Sequence, residues 1–178
     1  DTTALVTGAS AGIGKAVAVA LSAQGVRVIC TARRVDRLNA LVEELQNPAL
    51  AFELDVADGD AVDRLLYELP EEWRDIDILV NNAGHDLGGR QAFHKRAAAD
   101  IAATIETNST GLIRTTLAIL PMMQARGRGH IINMGSSSGL DWVANHSVYV
   151  ASKCAVHGFT NSLRQELQGS GVRLTEIL

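Results

Sequence analysis

The chain has 178 residues, 47% hydrophobic and 20% charged, with a formal net charge of -4. That is an ordinary globular balance, long enough for one domain with its own core. The basic residues do not run together, which argues against a nucleic-acid or anionic-membrane surface, and no apolar run reaches the ~18 residues of a membrane span.

Short apolar runs alternate with longer amphipathic ones along the whole sequence. Thr3 to Thr7 reads as a buried strand stopped by Gly8, and a helix from about Gly12 to Gln24 is closed by Gly25. Val26 to Thr31 is the second strand, and Arg34 to Leu45 the helix after it, ended by Asn47-Pro48. Ala49 to Leu54 is a third strand, with a helix after Asp58 that stops near Pro70. Ile76 to Val80 is the fourth strand, and one long helix is expected over Ala97 to Ala125. Gly129 to Met134 is the fifth strand, Ser147 to Gln168 the last helix, and Val172 to Leu178 the sixth strand. Continuous apolar strands are what a parallel sheet covered on both faces requires. The alternation predicts a doubly wound α/β (Rossmann) domain with six visible strands, residues 1–178 forming a single dinucleotide-binding and catalytic unit.

The first strand runs into Thr7-Gly8-Ala9-Ser10-Ala11-Gly12-Ile13-Gly14 and then into a helix. Glycines suit this place because the turn is tight and a Cβ would block close approach of a pyrophosphate. The free N–H groups at the helix start and the positive end of its dipole then hold the phosphates. Gly8, Ser10, Gly12, Ile13 and Gly14 are therefore candidate cofactor-binding residues. An NAD site places an acid about 20 residues further on, to grip the ribose hydroxyls. The second strand instead ends Cys30-Thr31-Ala32-Arg33-Arg34. A carboxylate would repel a 2′-phosphate, whereas a guanidinium binds it through charge-assisted hydrogen bonds, so Arg33 and Arg34 point to NADP(H). Asp36 is better placed to stabilise the start of the following helix.

With those residues in hand, the chain resembles the short-chain dehydrogenase/reductase family over nearly its whole length. The resemblance rests on the glycine loop Thr7 to Gly14, Asn81-Asn82-Ala83-Gly84 after the fourth strand, Asn108, Ser136, and Tyr149-x-x-x-Lys153. It implies that Asp55 and Val56 receive the adenine edge, and that Asn81, Ala83 and Gly84 form the turn beside the cofactor, a turn that also braces the sheet. Capping of the segment that follows is the structural alternative for Asp55.

Reducing a ketone needs a hydride, which the cofactor carries, and a proton for the developing alkoxide. Free tyrosine, with a pKa of about 10, exchanges its proton poorly at neutral pH, and a fixed ammonium nearby favours the phenolate. Lys153 lies four residues after Tyr149, so the two project from one helix face. The pair opens a long helix straight after the fifth strand, where an α/β sheet places its ligand crevice. Ser136, at the end of that strand, is expected to hydrogen-bond the substrate oxygen. The family spacing to the tyrosine selects it over Ser137 and Ser138. Family resemblance also implies that Asn108 interrupts its helix and holds a water linked to the lysine. Tyr149, Lys153, Ser136 and Asn108 are thus the expected catalytic set, with Tyr149 and Lys153 also touching the cofactor.

The expected activity is an NADP(H)-dependent oxidoreductase acting on a small carbonyl or alcohol. Within the family, Gly129 to Ser136 and Val172 to Thr175 resemble the NADP-dependent reductases of 3-hydroxy acids. A catalytically silent NADPH-binding regulator is the alternative, though such a protein would be expected to lack Tyr149 or Lys153. His85, His94, His130, His146 and His157 match no metal-ligand spacing, and no metal is expected. Only His85 and His146 border the expected crevice; Trp142 and Asn145 are pocket-wall candidates by position. Cys30 and Cys154 read as packed thiols. With no signal peptide leading the sequence, a reducing cytoplasmic compartment is expected. Helices 97–125 and 147–168 carry more Ala, Ile and Leu than a sheet-facing stripe needs, and family resemblance implies a homodimer or homotetramer through their outer faces. Family members continue past the sixth strand with a Pro-Gly turn, a nicotinamide-contacting threonine, a lid and a seventh strand, so residues beyond Leu178 are expected.

Overall fold

A computed structural model describes residues 2–178. Six parallel strands form one sheet: β1 (Thr3–Thr7), β2 (Arg27–Ala32), β3 (Ala49–Glu53), β4 (Ile78–Asn81), β5 (Gly129–Met134) and β6 (Val172–Ile177). Their order is β3-β2-β1-β4-β5-β6. The helices between them are α1 (Gly12–Ala23), α2 (Val35–Glu44), α3 (Gly59–Glu68), α4 (Ala98–Ile105), α5 (Leu112–Arg126) and α6 (Ser147–Glu166). Among the described residues, no helix is long and apolar enough to cross a membrane.

Strand residues alternate between two cores. Leu5, Ile29, Leu79, Ile131 and Leu174 sit in register across five strands and all enter the core shared with Val62, Leu65 and Ile119. One residue on, Val6, Cys30 and Val80 line up on the opposite face and pack with Ala18, Leu38 and Leu41. Both faces are thus covered, which is why the strands read as unbroken apolar runs. Burial pushes the Cys30 thiol up to about 12, so it is an inert packed group.

The helical run expected over 97–125 is present, with the interruption at Asn108 that the family resemblance implies. Residues Glu106–Gly111 form a π-helical turn between α4 and α5. Asp58 caps α3 by accepting from the Ala61 amide at 3.1 Å. Asp36 does lie in the first turn of α2, as its position suggested.

In this strand order the chain reverses direction across the sheet between β1 and β4. The carboxyl ends of those strands splay their loops apart, and a crevice opens there. Every glycine-rich or polar loop singled out from the sequence leaves the sheet at that end.

Candidate active site

The crevice has a volume of about 560 Å³ and collects residues from five strand ends. Gly8, Ser10, Gly12 and Ile13 come after β1, and Arg33 and Arg34 after β2. Asp55 and Val56 follow β3, Ala83 and Gly84 follow β4, and Tyr149 and Lys153 enter from α6.

The glycine loop is built to take a ligand with backbone amides. Gly8 has a φ of 68°, and a Cβ there would come within 2.9 Å of the Ala83 backbone. At Gly14 a Cβ would sit 2.4 Å from the Gly8 carbonyl oxygen. Gly14 is therefore a packing glycine rather than a lining one. Gly12, with a φ of 56°, has no heavy atom within 4 Å of where its Cβ would be. The α1 N-terminus behind it has no side-chain cap, and its first turn carries no acid. Free amides at a helix start, beside open space and without a competing carboxylate, fit a pyrophosphate.

The cofactor-discriminating corner is equally populated. Arg34 Nη2 donates to Ser10 Oγ at 2.9 Å, and Arg33 Nη1 lies 3.8 Å from Asp55 Oδ2. Both guanidiniums are exposed and turned to the crevice mouth, where a 2′-phosphate would find two cations. Asp55 Oδ1 accepts from the Ala57 amide at 3.0 Å, and the residue lines the crevice.

Asn81 departs from the expected placement. It is buried, and its Nδ2 donates to Thr116 Oγ1 and to Asn133 Oδ1, each at 2.9 Å. It ties β4 to β5 and α5 rather than facing the crevice. Its neighbour Asn82 takes the lining position, donating from Nδ2 to the Thr7 carbonyl at 2.9 Å. Sequence reasoning passed over Asn82 as a site residue, although a partner for the closely packed Gly8-Gly14 turn was the available signal. Asp86, in the loop after β4, lines the crevice, and Thr107 and Gly135 line it without having been singled out for it.

At the other end of the crevice, Lys153 is buried on α6 and donates from Nζ to the Met134 carbonyl at 2.7 Å. That bond uses one of three ammonium donors. Burial lowers the Lys153 pKa, and the Glu176 carboxylate partly restores it. Nζ stands 5.7 Å from the centroid of the Tyr149 ring. Ser136 follows β5, its Oγ accepting from the Ser138 amide at 3.1 Å. That bond leaves its hydroxyl proton free, and its neighbours Met134 and Gly135, rather than Ser136 itself, line the crevice.

Asn108 lies inside the π turn and is almost wholly buried. Its Oδ1 accepts from the His85 amide at 2.9 Å, and its Nδ2 donates to the His85 carbonyl and to Ser152 Oγ. The side chain thus joins the loop after β4 to α6. His85 lines the crevice, and burial together with the Arg33 charge holds its imidazole pKa below the ordinary value. His146 instead sits behind Tyr149, while Trp142 is exposed and stands apart from the crevice lining. Among the described residues, no three His, Cys, Asp or Glu side chains cluster as a metal site would require.

The short chain dehydrogenase family matches residues 2–178. The NADP-dependent 3-hydroxy acid dehydrogenase YdfG of Salmonella typhi is 47% identical over 173 residues, which cover 97% of this chain and 69% of that protein. The structure of serine dehydrogenase from Escherichia coli superposes with a TM-score of 0.94 at 43% identity, covering 98% of this chain and 81% of that one. A closed form of serine dehydrogenase complexed with NADP+ gives the same TM-score and identity, covering 98% and 70%. With its crevice at the strand ends and a family match from residue 2 to residue 178, the chain belongs to the short chain dehydrogenase family.

Proposed function

We propose that this chain is an NADP(H)-dependent oxidoreductase interconverting a carbonyl and a secondary alcohol on a small molecule, with a 3-hydroxy acid or related short alcohol as substrate. The observation that carries it is one crevice with a phosphate cradle and two arginines at one end and Tyr149 with Lys153 at the other. The cofactor, when bound, supplies the hydride to the carbonyl carbon.

In this reading the chain's own residues manage the proton and the geometry. Gly8, Ser10, Gly12 and Ile13 hold the pyrophosphate, and Gly14 allows the turn that brings them there. Arg33 and Arg34 grip the 2′-phosphate; Asp55 and Val56 flank the adenine; Ala83 and Gly84 floor the crevice. Tyr149 Oη gives its proton to the substrate oxygen, which Ser136 Oγ also binds. The buried ammonium of Lys153 stabilises the phenolate left behind. Asn108 braces the wall beside it and, with water, feeds protons back towards Lys153. Alcohol oxidation runs the same proton path in reverse.

The regulator alternative has no support, since the proton-carrying pair is present and opens on the crevice. We further propose a cytoplasmic homodimer or homotetramer, in which the exposed Leu117 and Ile113 of α5 are covered by a second copy. Light scattering on Leu117→Asp against the parent chain tests that assembly, a lower mass being expected. The activity test is NADPH oxidation against 3-oxo acids and short ketones, with NADP+ reduction against the matching alcohols. Turnover lost in Tyr149→Phe, with NADPH still bound, is the expected result; an equally active Tyr149→Phe would remove the assignment.

A further inference from the structure

Arg96 is a cation with no accessible side-chain surface, and it is spent on the loop that follows β4. Its Nη1 and Nη2 both donate to Asp86 Oδ1 at 3.1 Å, and further bonds go to the Leu87 and Gly89 carbonyls. Two charge-assisted bonds to one oxygen anchor the Asp86 carboxylate by Oδ1 and leave Oδ2 for another partner. With Asn108 holding His85 by its amide and carbonyl, the loop is pinned on both sides of Asp86.

The other oxygen of that carboxylate reaches across to the loop before α6. Asp86 Oδ2 lies 3.0 Å from His146 Nε2. A second link runs beside it, the Gln91 amide donating to the Asn145 carbonyl at 2.9 Å. Asn145 adopts a φ of 63°, a left-handed conformation that Asn tolerates better than most residues. Two loops from different strand ends are therefore clasped together at His146.

His146 immediately precedes α6, three residues before Tyr149, a spacing that puts both on one side of the helix. The two rings stack, with centroids 4.7 Å apart and planes inclined by 16°. The imidazole is held at Nε2 by Asp86 and presents its flat face to the phenol.

We propose that Arg96, Asp86 and His146 form a positioning device for Tyr149, in which the clasped imidazole backs the phenol ring and fixes the direction of its hydroxyl into the crevice. The inference rests on the reading of Tyr149 as proton carrier. His146 touches neither crevice nor cofactor, so it acts through the tyrosine and not on the substrate. Asp86 acts one step further back, by keeping the imidazole parallel to the ring.

The test uses the full chain, NADP+ reduction with the best-used member of a 3-hydroxy acid panel, and NADPH binding by nucleotide fluorescence. A tilted acid/base group loses rate before it loses binding, so His146→Ala should lower kcat about tenfold with KM and the NADPH Kd within about twofold. His146→Phe keeps a flat ring of similar size and should recover kcat to within about threefold of the parent. Asp86→Asn should lower kcat more when His146 is present than in the His146→Phe background, because phenylalanine needs no carboxylate to hold it. If Asp86→Asn does not fold, the two His146 variants alone decide. An unchanged His146→Ala, a His146→Phe no better than His146→Ala, or an equal Asp86→Asn loss in both backgrounds overturns the proposal. An active Tyr149→Phe, run alongside, would instead mark failure of the proton-carrier reading on which it stands.

Discussion

Gly12 and Gly14 are two residues apart in one loop, yet the structure assigns them different work, and alanine at each separates the two. At Gly14 the new methyl would lie 2.4 Å from the Gly8 carbonyl oxygen and 2.4 Å from Asn82 Nδ2. One of these is backbone and cannot swing away, so overpacking of about 1–3 kcal/mol is expected. The gain of helix propensity, about 1 kcal/mol, offsets part of it. A net loss of up to about 2 kcal/mol follows. At Gly12 the methyl meets nothing within 4 Å. There the left-handed backbone costs about 1–2 kcal/mol, and the stiffer unfolded chain returns about 0.4–1. Stability should fall by only about 0.5–1 kcal/mol. For NADPH the order reverses, because the Gly12 methyl stands where the phosphates approach. At 100 times the parent Kd, NADPH stabilises the parent by about 2.7 kcal/mol. A Gly12→Ala variant bound 100-fold more weakly would gain only about 0.4 kcal/mol under the same conditions. Urea melts with and without NADPH read both quantities in one experiment. A Gly12→Ala protein that gains as much from NADPH as the parent would falsify the placement of the pyrophosphate over this turn.

Three further outcomes are expected. Replacing Arg33 and Arg34 together with alanine should raise the NADPH Kd about 10- to 100-fold, since each charged hydrogen bond is worth about 1.5–3 kcal/mol and both cations are partly screened; fluorescence titration should find NADH binding almost unaltered, and an equal loss for both nucleotides would defeat the assignment. Asn133→Ala should cost about 3 kcal/mol in a urea melt, because it strips a partner from buried Asn81 Nδ2 and from Thr160 Oγ1 and leaves a cavity; a loss under 1 kcal/mol would mean that water replaces it. For Lys153 the folded pKa lies below 10.5, so between the folded value and 10.5 the unfolded chain binds more protons and stability rises with pH. Lys153→Met lacks that contribution, so the stability of the parent relative to the variant should climb as pH approaches 10.5; a difference that is flat or falls across that window contradicts the burial of a charged amine.

Most of the fold was legible because its signals are local. Thr3 to Thr7 is a continuous apolar strand cut by a glycine, and Gly129 to Met134 ends where the chain must turn for α6. The candidate site was legible to the same extent, since Gly12, Arg33, Tyr149 and Lys153 all reach the crevice from motifs readable in one dimension. What failed to show depended on partners far along the chain. Asn81 and Asn82 are chemically identical neighbours at a strand end, and only strand parity separates them. Leu79 faces the core beneath α5, so Asn81 must face it too, and Asn82 is left for the crevice. An interruption at Asn108 is implied by the family resemblance, but its π form is set by the bonds from Asn108 to His85 and Ser152, which lie outside the local sequence. Arg96 carries no local signal of its place, since arginine is mostly a surface residue, whereas the loop it closes buries its side chain completely.

The π turn has a consequence for how one rod serves two neighbours. A regular helix advances about 100° per residue and keeps a single apolar stripe in phase along its length. A turn with one residue more per hydrogen-bonded ring shifts that phase part-way along. On either side of Glu106–Gly111 the stripes answer to different surfaces: α4 packs on α6, whereas α5 packs on α3 and on strands β4 and β5. Removing one residue from the turn would straighten the hydrogen-bond ladder and rotate α4 by about 100° relative to α5. The interruption therefore works as a phase shifter, letting a single length of chain mesh with two gears set at different angles.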